Sequence, residues 1–304
     1  MSNYSDSQFS EENQNNSWYK AMMLIPGGSK VLDIGCSSGN FGRELIDRKK
    51  CTVDGFELDA KDAKIAAEKL RNVKVLNIEK DAIEGISERY DVIYFGDVIE
   101  HLIDPVMALK KVKSLLAPNG VVVFSLPNMA HVTVRLQLLK GDFDYSETGL
   151  LDKTHLHFYT MKELGTVFSE AGYEVVKLEF VEKDYPNLLI KDYLDDLGLI
   201  ADKKFYDLMR QPDAAAFQFV GVAKPSLDII PLKREQFGPI DFFESYYTNK
   251  EAEFINTKSF LQENNEALET KNTILEKKIK DYENHPYKNV VSFLKNRVKS
   301  VIGR

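Results

Sequence analysis

Cysteine is scarce in this chain. Cys36 and Cys51 are the only two among 304 residues, so no disulfide framework is available and the fold must rest on a buried core, as suits a reducing compartment. Long apolar runs are missing as well: none approaches the roughly 20 residues of a membrane-spanning helix. Basic residues are outnumbered, 40 Lys and Arg against 47 Asp and Glu, for a net charge of -7. That deficit argues against a general nucleic-acid binder, whose phosphate contacts need a basic surface. The opening stretch, MSNYSDSQFSEENQNNS, lacks a charged-then-apolar signal. Residues 1–17 are expected to be a mobile polar lead, with Tyr4 and Phe9 able to fold over a ligand, and the expected location is cytoplasmic.

What the chain does have is alternation. Val31 to Gly42, VLDIGCSSGNFG, reads as an apolar strand ending in an acid, then a sharp turn from Gly35 to Gly39, then an amphipathic helix carrying Phe41, Leu45 and Ile46 on one side. Gly35 and Gly39 let the backbone approach a ligand, and a helix start offers free N–H groups. Such a unit holds a nucleotide-like cofactor at the carboxyl end of a parallel sheet. Further strands are expected at 51–57, 73–78, 90–95, 121–126, 173–181 and 216–223. Helices are expected at 18–25, 59–70, 97–116, 161–171 and 188–209. This pattern predicts an α/β fold, a doubly wound, Rossmann-like sheet of seven mostly parallel strands, with a final pair that could be antiparallel. Residues 127–159 break the alternation and are expected to form a cap over the carboxyl edge, shaping a substrate pocket.

Pro225 opens a different regime. Residues 225–240 read as a linker and 241–304 as a helical, coiled-coil-like extension. Phe254, Leu261, Leu268, Leu275 and Tyr282 recur every seven residues, a weak stripe suited to self-association or a partner protein through 241–284. Beyond His285-Pro286, one face carries Val290, Leu294, Val298 and Ile302, beside Lys288, Lys295, Arg297, Lys299 and Arg304. That basic amphipathic end could lie on anionic lipid at the inner face of a membrane, or pack on its own domain.

On its motifs the chain resembles a class I S-adenosylmethionine-dependent methyltransferase over residues 18–224. The markers are VLDIGCSSG, Glu57 at the end of the second strand, YDVIYFGDVIEHLIDP and LAPNGVVVFSLPN. PNMAHVTVRL, GDFDY and LDKTHLHFYT are similar to a bacterial subgroup found beside sugar transferases in surface-polysaccharide loci. The resemblance implies S-adenosylmethionine as cofactor, with Gly35, Cys36 and Gly39 beside its methionine part and Asp33 orienting the turn and the ammonium. It implies Glu57 on the ribose hydroxyls, Leu58 against the adenine, and either Glu79 or Asp81 on the adenine amino group. Gly96 and Asp97 would line the strand-four edge near the methionine end. Ser37 departs from the glycine common in the family, so the turn there either avoids a positive φ or carries some strain. A nicotinamide-binding G-x-G-x-x-G would need glycines where Ser37 and Asn40 stand.

Methyl transfer to oxygen needs a nucleophile in line with the sulfonium and a base for its proton. The chain has five histidines, and all but His285 fall on the strand-four loop or in the cap. His155 is the first candidate for the base and His131 the second, with His101 and Glu100 beside them; His157 is expected to pack against Phe158 and Tyr159. Tyr145, Arg135 and Asp152 are candidate acceptor contacts, Arg135 suiting a phosphate or carboxylate or else lying on a solvated helix face. Asp97, Glu100 and His101 resemble the acid-x-x-Glu-His clusters of ubiquinone-pathway and small-RNA methyltransferases, where His155 would complete the set. That resemblance implies Mg2+ or Mn2+ holding a substrate hydroxyl, although Asp97 is shorter than the usual glutamate. The same groups could instead hydrogen-bond a substrate hydroxyl directly.

The expected function is O-methylation of a sugar hydroxyl on a nucleotide sugar or surface glycan. Alternatives are O-methylation of a phenol or quinone-like small molecule, and a non-catalytic cofactor-binding adaptor assembling through the C-terminal helix. RNA 2′-O-methylation is disfavoured by the charge.

Overall fold

Short runs rich in β-branched and aromatic residues become strands, because such side chains pack well on a pleated surface. In chain order these are β1 (Lys30–Ile34), β2 (Thr52–Glu57), β3 (Asn72–Val75), β4 (Tyr90–Gly96), β5 (Leu116–Pro127), β6 (Tyr173–Glu182) and β7 (Ala216–Pro225). They form one sheet in the order β3-β2-β1-β4-β5-β7-β6. Every neighbouring pair is parallel except those of β7, which runs antiparallel to both β5 and β6. The order reverses between β1 and β4, which opens a crevice at their carboxyl ends, where such sheets bind ligands.

This computed structural model describes residues 13–183 and 185–226, with Leu232, Thr273 and Glu276. The chain divides into two units, Met1–Asp241 and Phe242–Arg304, and the description below concerns the first. Tyr4, Phe9, the heptad stripe and the basic end lie outside the described residues, as does nearly all of the expected linker.

Alternation along the strands divides the core between the two faces of the sheet. Val31, Val92 and Tyr94 pack with α1 (Ser17–Leu24), α2 (Asn40–Lys49) and α3 (Ala60–Ala66). Leu32, Ile93 and Phe95 pack on the other face with α4 (Pro105–Val112) and α6 (Met161–Glu170). Each large apolar side chain so buried contributes about 1.5–3 kcal/mol. A third cluster joins α5 (Val132–Lys140) to α7 (Asn187–Asp196) and α8 (Lys203–Met209) through Val132, Leu136, Ile190 and Leu194. No described helix is long and apolar enough to cross a membrane.

Two expected helices are divided. The segment 188–209 breaks at Gly198, which takes φ +68°, and Asp202 restarts the helix by accepting a hydrogen bond from the Phe205 N–H. The segment 97–116 begins with Asp97 at φ +54° and a single tight turn, Ile99–His101. The α-helix proper starts only at Pro105, capped by Asp104. Proline at the first helical position loses no hydrogen bond, so the restart falls there. The loop ahead of it is free to face the crevice.

Candidate active site

The cradle begins where β1 ends. Gly35, Ser37 and Gly39 all take positive φ, at +70°, +46° and +76°. Gly35 is required twice over, because a Cβ there would lie 2.7 Å from the Val98 side chain. Ser37 carries the strain that a glycine would avoid. Its N–H donates to Glu57 Oε2 at 2.7 Å, while Glu57 Oε1 accepts from the Asp59 N–H at 2.9 Å. Glu57 therefore clamps the turn, and each oxygen keeps a further lone pair.

A cleft of about 690 Å³ lies over this turn. At one end Asp33, Ser37 and Glu57 face Trp18 and Phe41. The Trp18 and Phe41 rings lie 5.6 Å apart, and Phe41 lies 4.4 Å from Tyr94. Burial pushes the Asp33 carboxyl up to about 8, and the nearby Glu57 carboxylate adds to the rise. A buried acid held partly neutral suits a cationic ligand that restores its charge. The wall carrying Asn13, Asn16 and Trp18 is pinned from outside. The Asn15 side chain donates to the Glu182 carbonyl at 2.6 Å and accepts from the Glu182 N–H at 2.9 Å. These two hydrogen bonds join the segment expected as a polar lead, from residue 13 on, to β6.

The other end is built from the strand-four loop and the cap. Asp97 Oδ1 accepts from Ser125 Oγ at 2.9 Å and from the Gln218 amide at 3.2 Å. Burial pushes this carboxyl up, and the Ser125 and Gln218 hydrogen bonds pull it down. His101 lines the cleft with Nδ1 3.1 Å from the Thr154 carbonyl oxygen. A carbonyl only accepts, so Nδ1 carries a proton, and in the neutral ring the lone pair is then on Nε2. The Glu100 carbonyl accepts from the N–H groups of Leu156 and His157, at 2.8 and 3.1 Å, which ties the cap to the loop. The Glu100 carboxyl is 1% exposed and meets no donor from another described residue. Burial, then the Asp97 carboxylate, pushes it well above the usual range. His155 is buried, with its ring 4.9 Å from that of His101 and Nδ1 3.3 Å from the Leu150 carbonyl oxygen. Glu100, His101 and His155 each offer one ligand atom within 4.8 Å of the others.

A family model described as a methyltransferase domain matches residues 11–178, more than half of the chain. The chain belongs to the methyltransferase-domain family. A ubiquinone biosynthesis O-methyltransferase of Bradyrhizobium diazoefficiens is 32% identical over 122 residues, covering 38% of this chain and 47% of that protein. Its namesake in Nitrosospira multiformis is 26% identical over 153 residues, covering 49% of this chain and 64% of that protein. The chain spans about half to two thirds of the length of these relatives. A S-adenosylmethionine-dependent methyltransferase of Archaeoglobus fulgidus has 19% identity and a TM-score of 0.47, covering 71% of this chain and 94% of that one. The relatives named here carry ubiquinone biosynthesis in their names, where the sequence motifs had pointed to surface polysaccharide.

In this methyltransferase domain, Asp33, Gly35, Cys36, Glu57, Gly96 and Asp97 line one cleft. Gly39 does not; it starts α2 and packs against Ala66. Leu58 is outside the lining and is 66% exposed. Glu79 and Asp81 are both occupied by the chain itself. Glu79 accepts from the Asp104 N–H at 2.8 Å and Asp81 from the Asn77 N–H at 2.8 Å. Neither lines the cleft.

The histidines sort differently from expectation. His101, not His155, forms the cleft wall, with His155 behind it. His131 is withdrawn altogether. It is fully buried at the start of α5, with Nδ1 2.8 Å from Thr133 Oγ1 and Nε2 3.1 Å from the Lys183 carbonyl oxygen. Its burial lowers its pKa to about 4, unfit for a base at neutral pH. His157 packs as expected, 6.1 Å from the Tyr159 ring. Arg135 is held by Asp213 at 3.0 Å and by the Ala130 carbonyl, so it fastens α5 rather than meeting an acceptor. Tyr145 stacks on Phe143 outside the lining, whereas Asp152 lines the cleft. Asp97 is not among the three clustered metal-ligating groups, its Oδ1 being taken by Ser125 and Gln218. Trp18, Tyr94 and Gln218 line the cleft without having been anticipated. The signal for Gln218 was one polar residue inside the apolar run AFQFVGVA.

Proposed function

We propose that this domain transfers the methyl group of S-adenosylmethionine to a phenolic hydroxyl of a quinone-like small molecule. The observation that carries the reading is His101, which lines the cleft with its Nδ1 side taken by the Thr154 carbonyl, leaving Nε2 as the nitrogen able to serve as base. The acceptor oxygen attacks the methyl carbon as the carbon–sulfur bond breaks. His101 Nε2 takes the hydroxyl proton, and a methyl ether and S-adenosylhomocysteine leave. Glu57 and Asp33 hold the donor, and Asp97 orients the acceptor. The relatives' names support a ring acceptor, as do the apolar side chains of Tyr94 and Val98 on the strand-four side of the cleft. Charge supports an uncharged acceptor: on the strand-four and cap side, Asp97, Glu147 and Asp152 line the cleft with one amine, Lys153. A nucleotide sugar would bring phosphates toward these carboxylates.

The test is transfer from labelled donor to a panel of neutral catechols, nucleotide sugars and glycans. Catechol methyl ethers are the expected product; methylation of a sugar with every catechol untouched would overturn the reading. A second reading is favoured by the unpartnered Glu100 carboxyl. Glu100, His101 and His155 would hold a divalent ion, which lowers the pKa of a bound hydroxyl. Two imidazoles and one carboxylate fit Mn2+ better than Mg2+, which prefers an oxygen shell. Loss of activity on dialysis against chelator, restored by Mn2+, would support this reading; unchanged activity would remove it.

A further inference from the structure

Asp97 is held in an unusual backbone conformation at the edge of the cleft. It is not a glycine, yet it takes φ +54° at the end of β4. Strain of this kind persists only where the surroundings hold it, and it gathers at functional sites. The surroundings here are Ser125, within the motif LAPNGVVVFSLPN on the neighbouring β5, and Gln218 on β7, two strands from β4. The Asp97 N–H donates to the Ser125 carbonyl at 3.2 Å and to Ser125 Oγ at 3.1 Å. Ser125 is fully buried on β5 and returns its own hydroxyl proton to Asp97 Oδ1. The second donor to Oδ1 is Gln218 on β7, the antiparallel strand, opposite Pro127 in the sheet register. Gln218 lines the cleft beside Asp97.

With two donors on Oδ1, rotation of the carboxylate is blocked. Oδ2 is the oxygen with no donor from the described residues. We propose that Gln218 is a positioning residue for methyl transfer: it holds Asp97 so that Oδ2 accepts the hydrogen bond of the acceptor hydroxyl, beside His101. Gln218 acts through Asp97 and makes no proton transfer itself. Ser125 alone cannot fix the carboxylate, because a single donor still permits rotation about that hydrogen bond. The inference rests on the reading above that places Asp97 at the acceptor end.

The experiment is a double-mutant cycle on the full chain with Gln218→Leu, Asp97→Asn and both together. It is read as kcat and acceptor KM with the best catechol, as donor affinity from Trp18 fluorescence, and as thermal midpoint. A misplacement of about 1 Å can cost about a hundredfold in rate, so Gln218→Leu is expected to lower kcat/KM about tenfold or more, with donor affinity within about twofold. In the Asp97→Asn background the same change should cost nothing further, since the interaction it serves is already gone. Gln218→Asn keeps an amide and should recover part of the loss. Equal, additive losses in both backgrounds would overturn the proposal, as would a loss explained by donor affinity or midpoint alone. An Asp97→Asn variant with full activity would instead sink the placement of Asp97, whatever Gln218 does.

Discussion

The two ends of the cleft are made in different ways. The donor end's turn is local: β1, the turn from Gly35 to Gly39 and the end of β2 lie within residues 30–57, joined by the Glu57 carboxylate and by the Gly35 and Cys36 N–H groups on the Phe56 carbonyl. The acceptor end is assembled from distant pieces. His101 comes from the strand-four loop, Thr154 from the cap and Gln218 from the last strand, 121 residues beyond Asp97. The first is backbone geometry that a short motif can specify. The second exists only once the sheet has closed, so its geometry depends on β7 running antiparallel beside β5.

That contrast predicts which substitutions cost what. The largest effect belongs to His101→Ala, which should lower kcat by about 100-fold or more, in the range of a lost general base. Donor affinity by calorimetry should stay within about twofold, because the donor end is intact. An equal loss in both would mean that the two ends are not separable.

Next comes Asp33→Asn, expected to weaken donor binding about tenfold or more through loss of a charge-assisted hydrogen bond. Burial, with the Glu57 carboxylate beside it, pushes the folded carboxyl up to about 8, well above the ordinary aspartate range. Folded protein therefore keeps a proton that unfolded chain releases, so this stability is present at low pH and is lost as pH rises toward 8. The apoprotein's thermal midpoint should fall between about pH 5 and pH 8 in the parent and fall less in the variant. Donor affinity in the parent should rise over the same range, since a cation favours the ionised acid. A parent midpoint flat with pH would contradict the raised Asp33 carboxyl.

His131 sharpens the comparison from the opposite side. His131→Asn should leave kcat unchanged and cost about 1–3 kcal/mol of stability by urea titration, from its two buried hydrogen bonds. Its folded pKa is depressed to about 4, so its stabilisation is present above about 6.5 and is lost as pH falls toward 4. The smallest effect is Ser37→Gly, which relieves φ +46° and should stabilise the fold by about 0.5–1 kcal/mol in the same assay.

The same contrast explains what the sequence made legible. Strand and helix periodicity located the sheet, the turn and the antiparallel final pair, because each is written in adjacent residues. Asp33, Gly35 and Glu57 were readable for the same reason. Glu79 and Asp81 misled because an acid after a strand serves the chain's own N–H groups as readily as a ligand: Asp81 accepts from Asn77 in its own turn and Glu79 from Asp104 at the start of α4. His131 and His155 were ranked above His101 by proximity along the chain to the cap. Burial decided otherwise, and burial depends on how α5 meets the sheet and on the Lys183 carbonyl at the far edge. Arg135 likewise found a structural partner in Asp213, 78 residues on. Trp18 was read as part of a helix, and nothing in its neighbours says that Phe41 completes a cleft wall with it.

Trp18 offers the most direct test of the central claim, that the methyl donor lies between the Gly35 turn and the first helix. It is the only tryptophan in the chain and it lines that cleft. Titration with S-adenosylhomocysteine should change its fluorescence saturably, and Glu57→Ala should weaken the midpoint about tenfold or more as the ribose contact and the turn clamp are lost. Binding seen by calorimetry with no change in Trp18 emission, or a titration unaltered by Glu57→Ala, would contradict this account.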